Sequence, residues 1–128
     1  MISDRPNTLP KEERLHGKTG ISALMEKGRW GVEGHLKYCY KPGNGCSRDG
    51  EPYCRIIASV PKKLYKRAVR RNLLKRRIRE AYRIRKGILR GKDIDVLFAY
   101  SSPEIASTEI IGSEIESILK NIASKCQE

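Results

Sequence analysis

Between Pro61 and Gly87 the chain runs for 25 residues without glycine or proline, and within that stretch Leu74, Ile78, Ala81 and Tyr82 recur at spacings of four, three and one. This is the period of an α-helix with a narrow apolar stripe, so the spacing predicts a helix from just after Pro61 to about Lys86. Such a helix can bury only that stripe. Nearly everything around it is Lys or Arg, and the part from Lys66 to Arg83 would span roughly 27 Å. Arg70, Asn72, Lys75, Arg76, Arg79 and Arg83 should face away from the stripe. Like charges at spacings of three and four repel by a few tenths of a kcal/mol per pair. Solvated helices relieve that cost with interspersed acids, whereas here Glu80 stands alone.

The charge is local. From Arg55 to Lys92 there are 16 basic residues against one acidic, a net of +15, while the rest of the 128-residue chain has 11 basic and 14 acidic, a net of −3. The formal charge of +12 therefore comes from one segment, which points to a defined anion-binding surface. Arg outnumbers Lys within it, and the planar guanidinium suits phosphate oxygens and base edges. A helix basic on several sides fits a folded RNA, whose phosphate backbones approach from more than one direction, better than it fits a single duplex groove. Asn72, able to donate and accept, is suited to fixing a base or a backbone amide.

The remaining pattern is that of one α+β domain. Residues 1–10, polar and carrying Pro6 and Pro10, read as a disordered arm, with residues 11–128 forming the domain. A helix is expected over residues 11–27, with Leu15, Ile21, Leu24 and Met25 as apolar members and Gly28 ending it. The runs His35–Lys41 and Tyr53–Val60 alternate with period two, and the turn residues between them suggest an antiparallel hairpin with a long tip. Ile94–Tyr100 reads as a buried strand, so the basic helix connects two strands as a crossover. Ile111, Ile115, Ile118, Leu119 and Ile122 mark a last amphipathic helix, near which Ser113 and Glu116 have the spacing of a capping box.

Several function classes fall away. No stretch approaches the roughly 18 apolar residues of a membrane span, and the opening residues lack the apolar core of a signal peptide, so a cytoplasmic protein is expected. Cys39, Cys46, Cys54 and Cys126 lack the short spacing of a zinc site and are expected as free thiols. His16 and His35 have no neighbouring nucleophile or acid signature. Asp93 and Asp95 have the chemistry to bind a metal ion as nuclease carboxylates do, although the better reading of them is as the entrance to a strand.

The helix segment resembles the protein component of bacterial ribonuclease P. The resemblance lies in Ala68-Val69-Arg70-Arg71-Asn72, then Lys75-Arg76, then Arg79-Glu80-Ala81-Tyr82-Arg83, flanked by Ser59-Val60-Pro61-Lys62-Lys63 and Gly91-Lys92-Asp93-Ile94-Asp95-Val96. It is strongest over residues 59–100. Leu73 departs from it, standing where the family usually has Arg, and Pro61 replaces the usual Ser or Thr. Ile21 and Met25 occupy the places of paired phenylalanines.

The resemblance implies an αβββαβα two-layer sandwich, like the second domain of ribosomal protein S5, with a left-handed βαβ crossover around the basic helix. It implies that Lys62, Lys63, Lys66, Arg67, Arg70, Arg71, Asn72, Lys75, Arg76, Arg79 and Arg83 contact the catalytic RNA of the holoenzyme. It further implies that a cleft between the first helix and the sheet, lined by Ile21, Met25 and one or more of Tyr38, Tyr40 and Tyr53, holds the single-stranded 5′ leader of precursor tRNA. The chemistry would belong to the RNA with bound Mg2+, with no catalytic or metal-binding residue in the protein, no membrane and no obligate protein partner. The alternatives are a small ribosomal or ribosome-assembly RNA-binding protein, and a metal nuclease built on Asp93 and Asp95.

Overall fold

The computed structural model describes residues 11–15 and 17–126, so the arm over residues 1–10 and the isolated His16 lie outside the described residues. A 3-10 turn, Lys11–Glu13, precedes α1 (Lys18–Lys27), β1 (Arg29–Glu33) and β2 (Leu36–Pro42). A small ribbon of β3 (Ser47–Arg48) and β4 (Glu51–Pro52) leads to β5 (Arg55–Ser59), α2 (Ala68–Arg85), a second 3-10 turn (Lys86–Leu89), β6 (Ile94–Tyr100) and α3 (Thr108–Lys125). Apart from the ribbon, the order is the expected αβββαβα.

The main sheet runs β1-β2-β6-β5, with β6 antiparallel to β2 and parallel to β5. The expected hairpin between β2 and β5 is therefore absent, because β6 inserts between them. Six of the seven β6 residues are buried, and a strand apolar on both faces gains most from the middle of a sheet. The connection between β2 and β5, which carries its own ribbon, is too long to force those strands together.

One sheet face, with Leu36, Tyr38, Tyr40, Ile56, Ala58, Val96, Phe98 and Tyr100, packs on Leu74, Ile78 and Tyr82 of α2 and on Ile111, Ile115 and Ile118 of α3. The other face offers Cys39, Ile57 and Leu97 to Leu15, Ile21 and Leu24. The two-layer arrangement thus holds for α2 and α3, while α1 adds a partial third layer.

Local signals explain the displaced boundaries. α1 begins at Lys18, later than expected, because Gly17 takes φ +93° and the amide of Leu15 donates to the carbonyl of Ile56 at 2.7 Å. Residues 14 and 15 consequently extend the β5 edge, with Arg14 bridged in parallel to Ile56. In α3 the N-cap is Ser107, whose Oγ accepts from the Ile110 amide at 3.2 Å. Ser113 instead donates to the carbonyl of Ile110, one turn inside the helix. β1 is joined to β2 by the two-residue turn Gly34-His35, where Gly34 has φ +58° and a side chain would strike the Glu114 carboxylate.

Candidate nucleic-acid interface

α2 buries Leu74, Ile78, Ala81 and Tyr82, the stripe read from the sequence. At about 100° per residue, Lys75, Arg79, Asn72, Arg83 and Arg76 follow one another around one flank of the helix. Lys62, Lys63, Lys66, Arg67, Arg70, Asn72, Arg76 and Arg79 are exposed and Lys75 is half-buried. No hydrogen bond or ion pair within the described residues engages any of these nine side chains. The eight charges among them, and the side-chain amide of Asn72, are available to a partner at little cost, since no bond within the described residues must first be broken.

Other cations of the same helix are committed to the fold. Arg71 Nη1 donates to the carbonyls of Tyr65 at 2.9 Å and Lys66 at 2.8 Å, and Arg77 Nη1 to that of Ala106 at 2.7 Å. Arg83 pairs with Glu80 at 2.7 Å, and this neighbour holds the Glu80 carboxyl below its ordinary range. Arg85 reaches Glu116 on α3 at 3.2 Å. Of the expected RNA-binding residues, Arg71 and Arg83 thus have partners within the protein.

The flank of α2 bearing Lys75 and Arg79 forms one wall of a groove of about 360 Å³, with Lys11 and Arg14 opposite and Leu15, Ile56, Ile57 and Ala58 between them. Four cations and no carboxylate line it. Lys11 and Arg14 escape a reading from sequence because an irregular segment brings them there by pairing with β5.

The residues expected at a leader cleft do not come together. Tyr38 is 6% and Tyr40 4% exposed, both in the core on the face opposite α1. The Tyr38 hydroxyl accepts a 2.7 Å hydrogen bond from Asn121 Nδ2. Period two assigned these tyrosines to one face correctly but could not say which helices cover it. Tyr53 is half-buried, with the Arg48 guanidinium 4.8 Å from its ring centroid, at a separate cavity of about 630 Å³ that also touches Glu13, Lys86 and Arg90. Ile21 packs against the Leu24 cluster, and Met25 is 47% exposed.

The aromatic group beside α1 is instead Trp30, 45% exposed. It pairs in register with Cys39, which places it on the α1 side of the sheet. Its Nε1 donates to the Met25 carbonyl at 3.3 Å, and the Lys37 ammonium stands 5.4 Å from its ring centroid. The readable signal was the alternation of Trp30 and Val32 between Gly28 and Gly34.

The carboxylates considered for metal chemistry are occupied. Asp95, 5% exposed, accepts from Arg55 Nε at 2.9 Å and Nη2 at 2.7 Å and from Asn44 Nδ2 at 3.0 Å. Asp93 accepts from the Gly45 amide at 3.1 Å. Together they fasten the loop after β2. Among the described residues no group of three or more His, Cys, Asp or Glu is placed to hold a metal ion. His35 pairs with Glu114 at 2.7 Å. All four cysteines are free, and burial raises the Cys39 thiol and pushes that of Cys54 up to about 11. Among the described residues no helix is long and apolar enough to cross a membrane.

A family model described as Ribonuclease P matches residues 9–123. The ribonuclease P protein component of Chlorobaculum tepidum is 36% identical over 97% of this chain and 89% of its own length. The structure of the Staphylococcus aureus RNase P protein superposes with a TM-score of 0.68 at 25% identity, covering 86% of this chain and 94% of the other. The RNase P protein from Thermotoga maritima shares the fold, with a TM-score of 0.70 at 22% identity over 85% and 96% of the two chains.

Proposed function

The chain belongs to the ribonuclease P protein family, and from that membership we propose that it binds the catalytic RNA through α2 and assists removal of the 5′ leader from precursor tRNA. The observation that carries this reading is the flank of Lys75, Arg79, Asn72 and Arg76, whose side chains have no partner within the described residues. Lys11 and Arg14 extend the same cationic surface across the groove. A surface of this kind follows phosphates without reading sequence, as a subunit docking on a folded RNA requires.

The leader then lies along the α1 side of the sheet, where Trp30 and Met25 replace the buried tyrosines as the apolar contacts and Lys37 faces the backbone. One base stacked on an aromatic ring gains about 1–3 kcal/mol and tolerates many sequences. The cut itself belongs to the RNA with Mg2+. The engagement of Asp93 and Asp95 in the loop after β2 supports assigning no metal ligand to this chain. The protein acts in the cytoplasm and contributes substrate affinity.

The test is single-turnover cleavage of a 5′-extended precursor tRNA at limiting Mg2+, with the catalytic RNA alone, the protein alone and both together. Stimulation confined to the mixture is the expected result. Cleavage by protein alone, or no stimulation by folded protein, would overturn the proposal. Binding to ribosomal RNA without stimulation would favour the ribosomal alternative.

A further inference from the structure

Among the described residues β1 is an edge strand, and its sequence Arg29-Trp30-Gly31-Val32-Glu33 places a cation and an anion at the ends and two large apolar residues around a central glycine. We propose that this edge pairs antiparallel with the same edge of a second copy of the chain, about a two-fold axis through Gly31. The proposal does not rest on the RNA-binding reading, although it draws on Trp30, the side chain that reading gives to the leader.

Hydrogen-bond register supports it. The β1-β2 turn has two residues, so the flanking Glu33 and Leu36 form a hydrogen-bonded pair. Antiparallel ladders alternate, so Gly31 and Arg29 also direct their N–H and C=O groups at β2, while those of Trp30 and Val32 point outward. With the axis at Gly31, Trp30 meets Val32 of the second copy and Val32 meets its Trp30. The outward-pointing groups therefore meet one another as hydrogen-bonded pairs.

Side-chain chemistry matches the same register. Arg29 stands opposite Glu33 of the second copy, twice by symmetry, at the positions where cross-strand side chains approach most closely. Neither side chain has an ion pair within the described protein. Trp30 and Val32, 45% and 68% exposed, lie on the same sheet face, so pairing gathers four apolar side chains into one patch. Gly31 keeps the strand centre open, since a Cβ there would lie 2.5 Å from the Tyr38 ring. An exposed strand edge is a template for pairing, and a two-fold interface must be self-complementary; this edge meets both conditions.

Sedimentation velocity on the full chain without RNA, over a concentration series, tests the proposal. A concentration-dependent species of two chains is expected. Arg29→Glu and Glu33→Arg, each on the surface, should each weaken association by about tenfold, since opposite charges become like charges at two symmetric places. An equimolar mixture of the two variants should associate as well as the original chain, because each variant complements the other. This recovery also shows that both variants are folded. A monomer at every concentration, a dimer indifferent to both variants, or a mixture as weak as its components would overturn the proposal.

Discussion

Arg71, on the first turn of the basic helix, donates from Nη1 to the carbonyl of Tyr65 at 2.9 Å, and the same nitrogen reaches the carbonyl of Lys66 at 2.8 Å. The loop entering α2 is thereby tied to the helix by a cation that its sequence context would assign to RNA. Hydrogen bonds to charged groups contribute roughly 1.5–3 kcal/mol, so Arg71→Ala should lower unfolding free energy by about 1–3 kcal/mol in urea melts. Arg76→Ala and Arg79→Ala, whose side chains bond nothing among the described residues, should stay within about 0.5 kcal/mol of the original chain.

RNA binding should rank the same residues the other way. Arg76→Ala and Arg79→Ala each remove a free cation, and each lost phosphate contact reduces the slope of log affinity against log salt by about one. Filter binding to the catalytic RNA across a salt series measures this. Unchanged slopes in both variants would place the RNA on another surface.

The basic helix was legible because one run carries both its period and its charge: Leu74, Ile78, Ala81 and Tyr82 are buried as their spacing required. β6 was legible as a buried strand for the same reason. Its place between β2 and β5 was not, because periodicity records which face a residue occupies and not which strand lies beside it. Tyr38 and Tyr40 show the consequence, sharing a face as expected but lying beneath α2 and α3. Lys11, Arg14 and Trp30 were missed because each reaches its site through a non-local pairing, Lys11 and Arg14 by the bridge to Ile56 and Trp30 by its register with Cys39.

Glu13 should matter to stability more than its place in a short turn suggests. Its carboxylate, 6% exposed, accepts from Arg48 at 2.7 Å and from Lys86 at 2.8 Å, joining the first turn, the β3-β4 ribbon and the end of α2. Glu13→Gln leaves the mostly buried Lys86 ammonium without its counter-charge. A loss of about 2–3 kcal/mol is expected, less than for a fully dry pair because Lys86 keeps some water. Equilibrium urea unfolding of this variant beside Arg48→Gln, whose cation is half in solvent and should cost less, checks both the size and the order.

Burial of Cys54 gives a signed pH dependence. Its thiol is pushed from an ordinary value of 9.0 up to about 11, chiefly by desolvation, while its Sγ donates to the Lys92 carbonyl at 3.2 Å. Between those values the folded chain retains a proton that the unfolded chain has lost, so this contribution to stability is complete below pH 9 and disappears as pH rises through 11. Urea midpoints from pH 8 to 11 should fall more steeply for the original chain than for Cys54→Ala. At pH 8 iodoacetamide should modify Cys46 and Cys126 well before Cys39 and Cys54, the two buried thiols.

Trp30 is the sole tryptophan of the chain, so its fluorescence reports directly on the α1 side of the sheet. Its indole is about half exposed, held at one edge by the Met25 carbonyl and faced by the Lys37 ammonium. An unpaired base can stack on the free part of the ring while its phosphate meets the lysine. Titrating a single-stranded leader oligonucleotide into the complex of protein and catalytic RNA should quench this emission. Trp30→Ala should weaken leader affinity by about 1–3 kcal/mol, and Lys37→Ala should weaken it less. Tyr38→Phe and Tyr40→Phe should leave leader affinity unchanged, because both hydroxyls belong to core residues; for Tyr38→Phe only the hydrogen bond from Asn121 is lost, at about 1 kcal/mol of stability. A leader that binds without quenching Trp30, and as tightly to Trp30→Ala, lies on another face of the protein.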